Sequence, residues 1–286
     1  MVVGLIAVKT RMIDEHSRTS LSDLILNVFL PCTILSSFFD TDRSKIPSLV
    51  IILVISTLTL TACFILAKYV LYRKVDPDQK KVLLYATIIS NATFLGNPVV
   101  EGVFGPEALV YSSMYLIPLR AALWTIGIAI FSGTKGSIKK LALHPCLVAT
   151  YFGFIVLFTG FHPPALVTRL VFSLGNCTTP VSMLIVGSIL GLIEPKQLFS
   201  KLTLYYTFIR LVLIPLSLFA ILKMFRPEPM VSGVSIILSG TPAAVTTSIL
   251  ANKYGTGREL ATKIIFVSTL LSIFTLPAII WLLQFL

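Results

Sequence analysis

Two short runs carry polar chemistry into otherwise apolar sequence: Ser90-Asn91-Ala92-Thr93-Phe94-Leu95-Gly96-Asn97-Pro98 and Ser239-Gly240-Thr241-Pro242-Ala243-Ala244-Val245-Thr246-Thr247. Neither makes a good continuous helix, because proline lacks a backbone donor and clashes with the preceding turn, while glycine relaxes the helical constraint. Interruption is therefore expected at Gly96, Asn97 and Pro98, and again at Gly240 and Pro242. In apolar surroundings the freed amides and carbonyls must line a protein cavity, where a half-helix N-terminus offers about half a positive charge and unsatisfied N–H donors. That is anion-binding chemistry. A proline kink satisfied by neighbouring helices is the alternative for either run alone, and two breaks at related positions weigh against it.

Side chains near these runs extend the same chemistry. Ser90, Asn91 and Thr241 lie in the runs themselves, and Gly175-Asn176-Cys177-Thr178-Thr179-Pro180 brings Asn176 and Thr178 into another apolar segment. Such groups serve as interhelical hydrogen bonds worth roughly 0.6–2 kcal/mol, or as ligand contacts if the unwound segments are nearby. Arg120 stands mid-segment in Tyr115-Leu116-Ile117-Pro118-Leu119-Arg120, where a guanidinium costs about 2.5–3.5 kcal/mol on insertion scales. No Asp or Glu occupies the centre of a span, so carbonyls, water or a carboxylate solute are its candidate partners. Arg210 poses the same question, with the structural answer favoured. Glu101, near the end of its segment, is solvated enough to take a proton-coupling role.

The elements that must position these residues are membrane spans. Of 286 residues, 56% are hydrophobic and 12% charged, with a mean hydropathy of +0.93, whereas soluble chains carry about 25% charged residues. Apolar stretches fall at about 1–8, 20–39, 46–72, 82–104, 107–132, 138–160, 166–193, 198–225, 230–252 and 260–286. The first, at about 1.5 Å per residue, is too short to span alone and reads as a truncated or atypically short helix. The net charge of +11 is spread singly through loops, unlike a nucleic-acid-binding stripe. Odd-numbered connections hold sixteen Lys and Arg against five in the even-numbered ones. Since cytoplasmic loops retain positive charge, both termini are expected on the extracytoplasmic side.

A polar interruption at Gly133–Lys140 separates five segments from five, predicting units 1–133 and 134–286. Five is odd, so repeats in series insert with opposite orientation, the plan of many secondary transporters. Gly105-Pro106-Glu107 matches Gly257-Arg258-Glu259 at an offset of 152, which also sets Ser90 on Pro242, and Asn27-x-x-x-Pro31 matches Asn176-x-x-x-Pro180 at 149.

Other chemistries find little support. His16, His144 and His162 lie in loops or at span ends, and no HExxH helix, paired intramembrane aspartate or GxxxxGK[ST] loop is present, which argues against an intramembrane enzyme or nucleotide hydrolase. Cys32, Cys63, Cys146 and Cys177 lie in apolar segments without metal-ligand spacing. No metal or cofactor is expected. A passive channel or sensor of the same fold shares the glycine and proline breaks.

In Asn91–Pro98 followed by Glu101 and Phe104-Gly105, in Gly175-Asn176, and in Thr241-Pro242 through Ala251-Asn252-Lys253-Tyr254-Gly255 to Leu276-Pro277, the chain resembles the auxin efflux carrier family. The resemblance implies an all-α polytopic membrane protein of ten transmembrane helices, with crossed, broken fourth and ninth helices. It also implies an elevator-like cycle carrying small organic anions such as auxin or dicarboxylates. Asn91 and Asn176 then look like substrate-contacting asparagines and Pro242 like the second crossover proline. Ser90 stands where plant members carry the first, and Arg120 replaces a residue uncharged in many members. The expected setting is a plasma membrane, with an organic anion and lipid as partners, a homodimer as one oligomeric option, and no nucleic acid.

Overall fold

The structure, a computed structural model, describes residues 2–39, 43–132, 143, 145–161, 163–191 and 199–286. The expected unit boundary at Gly133–Lys140, with His144 and His162, lies outside the described residues. The described elements are α1 (Val2–Lys9), α2 (15–39), α3 (46–71), α4 (Pro77–Ile88), α5 (92–104), α6 (108–132), α7 (Pro145–Thr159), α8 (Ala165–Asn176), α9 (Thr178–Gly191), α10 (201–225), α11 (Pro229–Ser239), α12 (Thr246–Tyr254) and α13 (Arg258–Leu282). Among the described residues six helices are long and apolar enough to cross a membrane, and there is no named strand.

Helix starts follow local chemistry. Asp14 accepts from the Ser17 amide at 2.7 Å, which satisfies one orphan donor of α2 and holds the Asp14 carboxyl below the ordinary carboxylate range. Asp76 caps α4, accepting from the Asp78 amide at 3.1 Å, with Pro77 next, where its missing N–H costs nothing. Prolines inside helices are handled differently. Leu30, Asn97 and Ile214, each immediately before a proline, donate to the carbonyls five residues back of Ile25, Ala92 and Ile209. The resulting π-turn widens the helix ahead of Pro31, Pro98 and Pro215, relieving the clash with the carbonyl four residues earlier while the helix continues.

Two sets of helices emerge from the packing. In the first, α2 lies along α7 and α8, and α1 along α9. In the second, α3 packs on α6, α10 on α13, and α11 and α12 against α6 and α13 respectively. Outward faces are apolar: Val50, Leu58, Leu166, Phe158 and Phe274 are each at least half exposed. Lipid tails are the solvent that such a surface fits.

Inside, one apolar cluster gathers Leu30, Ile34, Phe38, Leu95, Met114 and Val231. A second gathers Tyr72, Val82, Leu83, Tyr206, Ala243 and Ile264. Among the places where the chain passes between them are two, after Ile89 and after Leu238. At both passages it is polar and loses its helix.

Gly4 sets how closely α1 approaches α9, since a Cβ there would overlap the Leu184 backbone carbonyl. Gly4→Ala is expected to cost about 1–3 kcal/mol through this overpacking, read as a lower Tm of the detergent-purified protein. An unchanged Tm would show that α1 is not seated by this contact.

Candidate functional site

Helix α4 ends at Ile88, and Ile89 is extended with φ −104° and ψ 111° before the chain turns into α5. Helix α11 ends at Ser239, and 240–245 run without helix before α12. The two openings meet. Ser90 and Ala243 form an antiparallel bridge, with the Asn91 amide donating to the Pro242 carbonyl at 2.8 Å. The Thr241 hydroxyl donates to Ser90 Oγ at 2.9 Å, and the Ala243 amide to Ser268 Oγ at 3.2 Å. Tyr85 donates to Thr246 Oγ1 at 2.8 Å, fastening the end of α4 to the start of α12.

Gly240 and Pro242 therefore lie in an open stretch, as their types led one to expect. Gly96, Asn97 and Pro98 do not. They sit where a π-turn passes into the α-helical part of α5, and the opening comes earlier, at Ile89–Asn91. The π-turn absorbs Pro98, and Asn97 is occupied as acceptor of a hydrogen bond from Ser112 on α6.

Helix α10 supplies what sequence reading left in second place. Tyr206 and Arg210, one turn apart on one face, both reach the C-terminal carbonyls of α4. Tyr206 donates to Ala86 O at 2.9 Å and Arg210 Nη1 to Thr87 O at 3.1 Å. Arg210 Nε also donates to Thr241 O at 2.9 Å, just beyond the end of α11. One guanidinium thus satisfies carbonyls at the ends of both half-helices, where the dipole is negative. Arg210 is 4% exposed, and beside it is a cavity of ≈ 10 Å³ lined by Thr59, Thr87, Ser90, Tyr115 and Ser239 among others. That is space for about one water molecule.

At the start of α5 the first amides have no main-chain partner among the described residues, whereas at the start of α12 the Thr247 and Ser248 amides donate to Ala244 O and Val245 O. The first main-chain bond into α5 is Leu95 N to Asn91 O, so the amides of Ala92, Thr93 and Phe94 precede it. The Asn91 side chain is 4% exposed and makes no hydrogen bond among the described residues.

The remaining candidates lie elsewhere. Thr178 meets Thr33 of α2 at 2.7 Å, and Thr33 also donates to Gly175 O at 3.0 Å. Thr179 donates to Glu101 at 2.6 Å, joining α9 of the first helix set to α5. Glu101 is ten residues beyond Asn91, about 15 Å of helix rise, and Asn176 is exposed with no hydrogen bond among the described residues. Asn176 and Thr178 thus sit at the α8–α9 junction and do not join Asn91 at the crossing. Arg120 is 7% exposed, and neither Nη1 nor Nη2 has a partner. It interacts with Cys146 at the start of α7.

A family described as membrane transport protein matches residues 1–142 and 134–280. The chain belongs to the auxin efflux carrier family of membrane transport proteins. It is 28% identical over 297 aligned residues to an uncharacterized transporter of Methanothermobacter thermautotrophicus, covering 97% of this chain and 93% of the relative. It is 24% identical over 212 residues to a protein of Rhizobium meliloti named as a candidate malonate transporter, covering 70% of this chain and 66% of that one. An uncharacterized transporter of Methanocaldococcus jannaschii is 25% identical over 94% of this chain and 91% of its own length. This member of the family is a multi-pass membrane transporter.

Because Thr241 and Ser90 share one hydrogen bond, Thr241→Val and Ser90→Ala should be non-additive. We expect a coupling of about 0.5–1.5 kcal/mol in a double-mutant cycle on unfolding. Strict additivity would mean that the bond contributes nothing to the crossing.

Proposed function

We propose that this transporter carries small organic anions of the carboxylate class by alternating access, with the crossing of 90–91 over 241–243 as the binding region. The observation that carries this reading is the meeting of two interrupted helices inside the protein, which turns main-chain amides and the Asn91 carboxamide toward one polar layer. Discontinuous helices of this kind hold anionic substrate groups on half-helix N-termini. The relative named for malonate transport supports the carboxylate class.

In this reading α4 with α5 and α11 with α12 each count as one broken crossing. With α8 and α9 counted together, the chain makes ten crossings as inverted units 1–133 and 134–286. The second helix set moves as an elevator against the first, in a plasma membrane with both termini outside. Ser90, Asn91 and Thr241 contact the solute at the crossing. The unpaired guanidinium of Arg120, beside the α2–α7 face, receives a carboxylate on the path between the two sets. Asn176 and Thr178 line the junction of α8 and α9, and Glu101, bonded across the sets to Thr179, is the candidate proton carrier.

Flux of radiolabelled malonate and a panel of monocarboxylates into proteoliposomes tests the assignment. Asn91→Ala and Arg120→Ala are each expected to lower uptake by about tenfold or more, as when a buried charged hydrogen bond of about 1.5–3 kcal/mol is lost. Transport of every anion at wild-type rates by both variants rejects the site. Saturable counterflow is expected, and single-channel currents would instead favour a passive pore.

A further inference from the structure

Arg210 places a guanidinium at membrane depth with no carboxylate bonded to it among the described residues. Its bonds run instead to Thr87 O and Thr241 O, at the C-terminal ends of α4 and α11. Each such end carries about half a negative charge, so two ends offset one guanidinium. The other two ends at the crossing, the N-termini of α5 and α12, each carry about half a positive charge. Four half-helix ends alone would sum to about zero.

We propose that Arg210 is the fixed cation of the crossing: it cancels the negative ends of α4 and α11, and so leaves the positive ends of α5 and α12 as the charge offered to an anionic solute. Arg210 is on this account a positioning residue. It sets the net charge of the layer and ties the two half-helices together without meeting the solute itself. Several features fit this role. Its Nε and Nη1 are held by separate segments, 87 and 241, as only a forked donor does at this spacing. Tyr206 covers the neighbouring carbonyl Ala86 O, so α10 supplies the donors to two carbonyls at the end of α4. The adjoining cavity has space for about one water, too little for a carboxylate to lie against the guanidinium. The inference rests on the anion-carrier reading for the solute's charge, and the tie between helix ends stands apart from it.

The test replaces Arg210 by Met and by Lys and measures both Tm in detergent and apparent KM for malonate in proteoliposomes. Arg210→Met is expected to lower Tm and to raise KM by about tenfold or more, with millimolar methylguanidinium restoring part of both and sodium at equal ionic strength restoring neither. Arg210→Lys keeps the charge and loses the fork. It is expected to hold KM within about threefold of wild type while Tm falls, which preserves the test if the methionine variant fails to fold. A KM for the lysine variant as high as for methionine, an unaltered Tm in both, or sodium acting as well as methylguanidinium overturns the proposal. If methylguanidinium restores Tm while wild type moves no carboxylate, the helix tie is retained and the carboxylate reading is lost.

Discussion

A main-chain carbonyl in hydrocarbon has no water to fall back on, and everything at the centre of this protein answers to that fact. Opening a helix at Ile89 and again after Ser239 releases acceptors that neighbouring turns no longer satisfy. The chain resolves this by bringing the two openings together, so that a bridge between Ser90 and Ala243 takes one pair and helix α10 takes others. The Ser268 hydroxyl accepts from the Ala243 amide, and the Thr241 hydroxyl donates to Ser90. The polar layer persists between two apolar clusters because the carbonyls of Thr87 and Thr241 and the hydroxyls of Ser90 and Thr241 have protein partners.

The groups left without one are then the informative ones. The Asn91 side chain makes no hydrogen bond among the described residues, and neither terminal nitrogen of the buried Arg120 guanidinium has a partner. Asn91 belongs to the crossing. Arg120 belongs to the seam between the two helix sets, which is also where Glu101 meets Thr179. A solute moving between the layer and an aqueous side would meet the crossing and the seam in turn.

Much of this was legible in residue types. Glycine and proline in the 239–247 run marked an opening that the structure places there, and the ten apolar stretches all carry helix in their described parts. The first opening was harder to place. Pro98 drew attention to itself, yet a π-turn accommodates it and the helix parts several residues earlier, at Ile89–Asn91, which have no breaker of their own. What opens that stretch is its partner: the bridge to Ala243 rewards an extended strand-like step that local sequence does not specify. Arg120 and Arg210 looked alike for a related reason. Carbonyl partners leave no signature in a sequence, so only the fold distinguishes the arginine that is bonded from the one that is not. Asn176 repeats the local pattern of Asn27, but proximity to Asn91 was a matter of tertiary placement, and the junction of α8 and α9 lies elsewhere.

The π-turns before Pro31, Pro98 and Pro215 have a consequence for lineage. A turn closed over five residues holds one more residue than its α-helical counterpart, and so behaves as a single-residue insertion in an otherwise regular rod. A family member that had lost the proline could shed that residue and tighten the turn, leaving both halves of the rod facing as before while the sequence register shifts by one residue, or about 100° of helix. Alignments of divergent carriers are therefore expected to slip by one position just ahead of these prolines, and an ungapped comparison would pair inward-facing residues with lipid-facing ones from there onward.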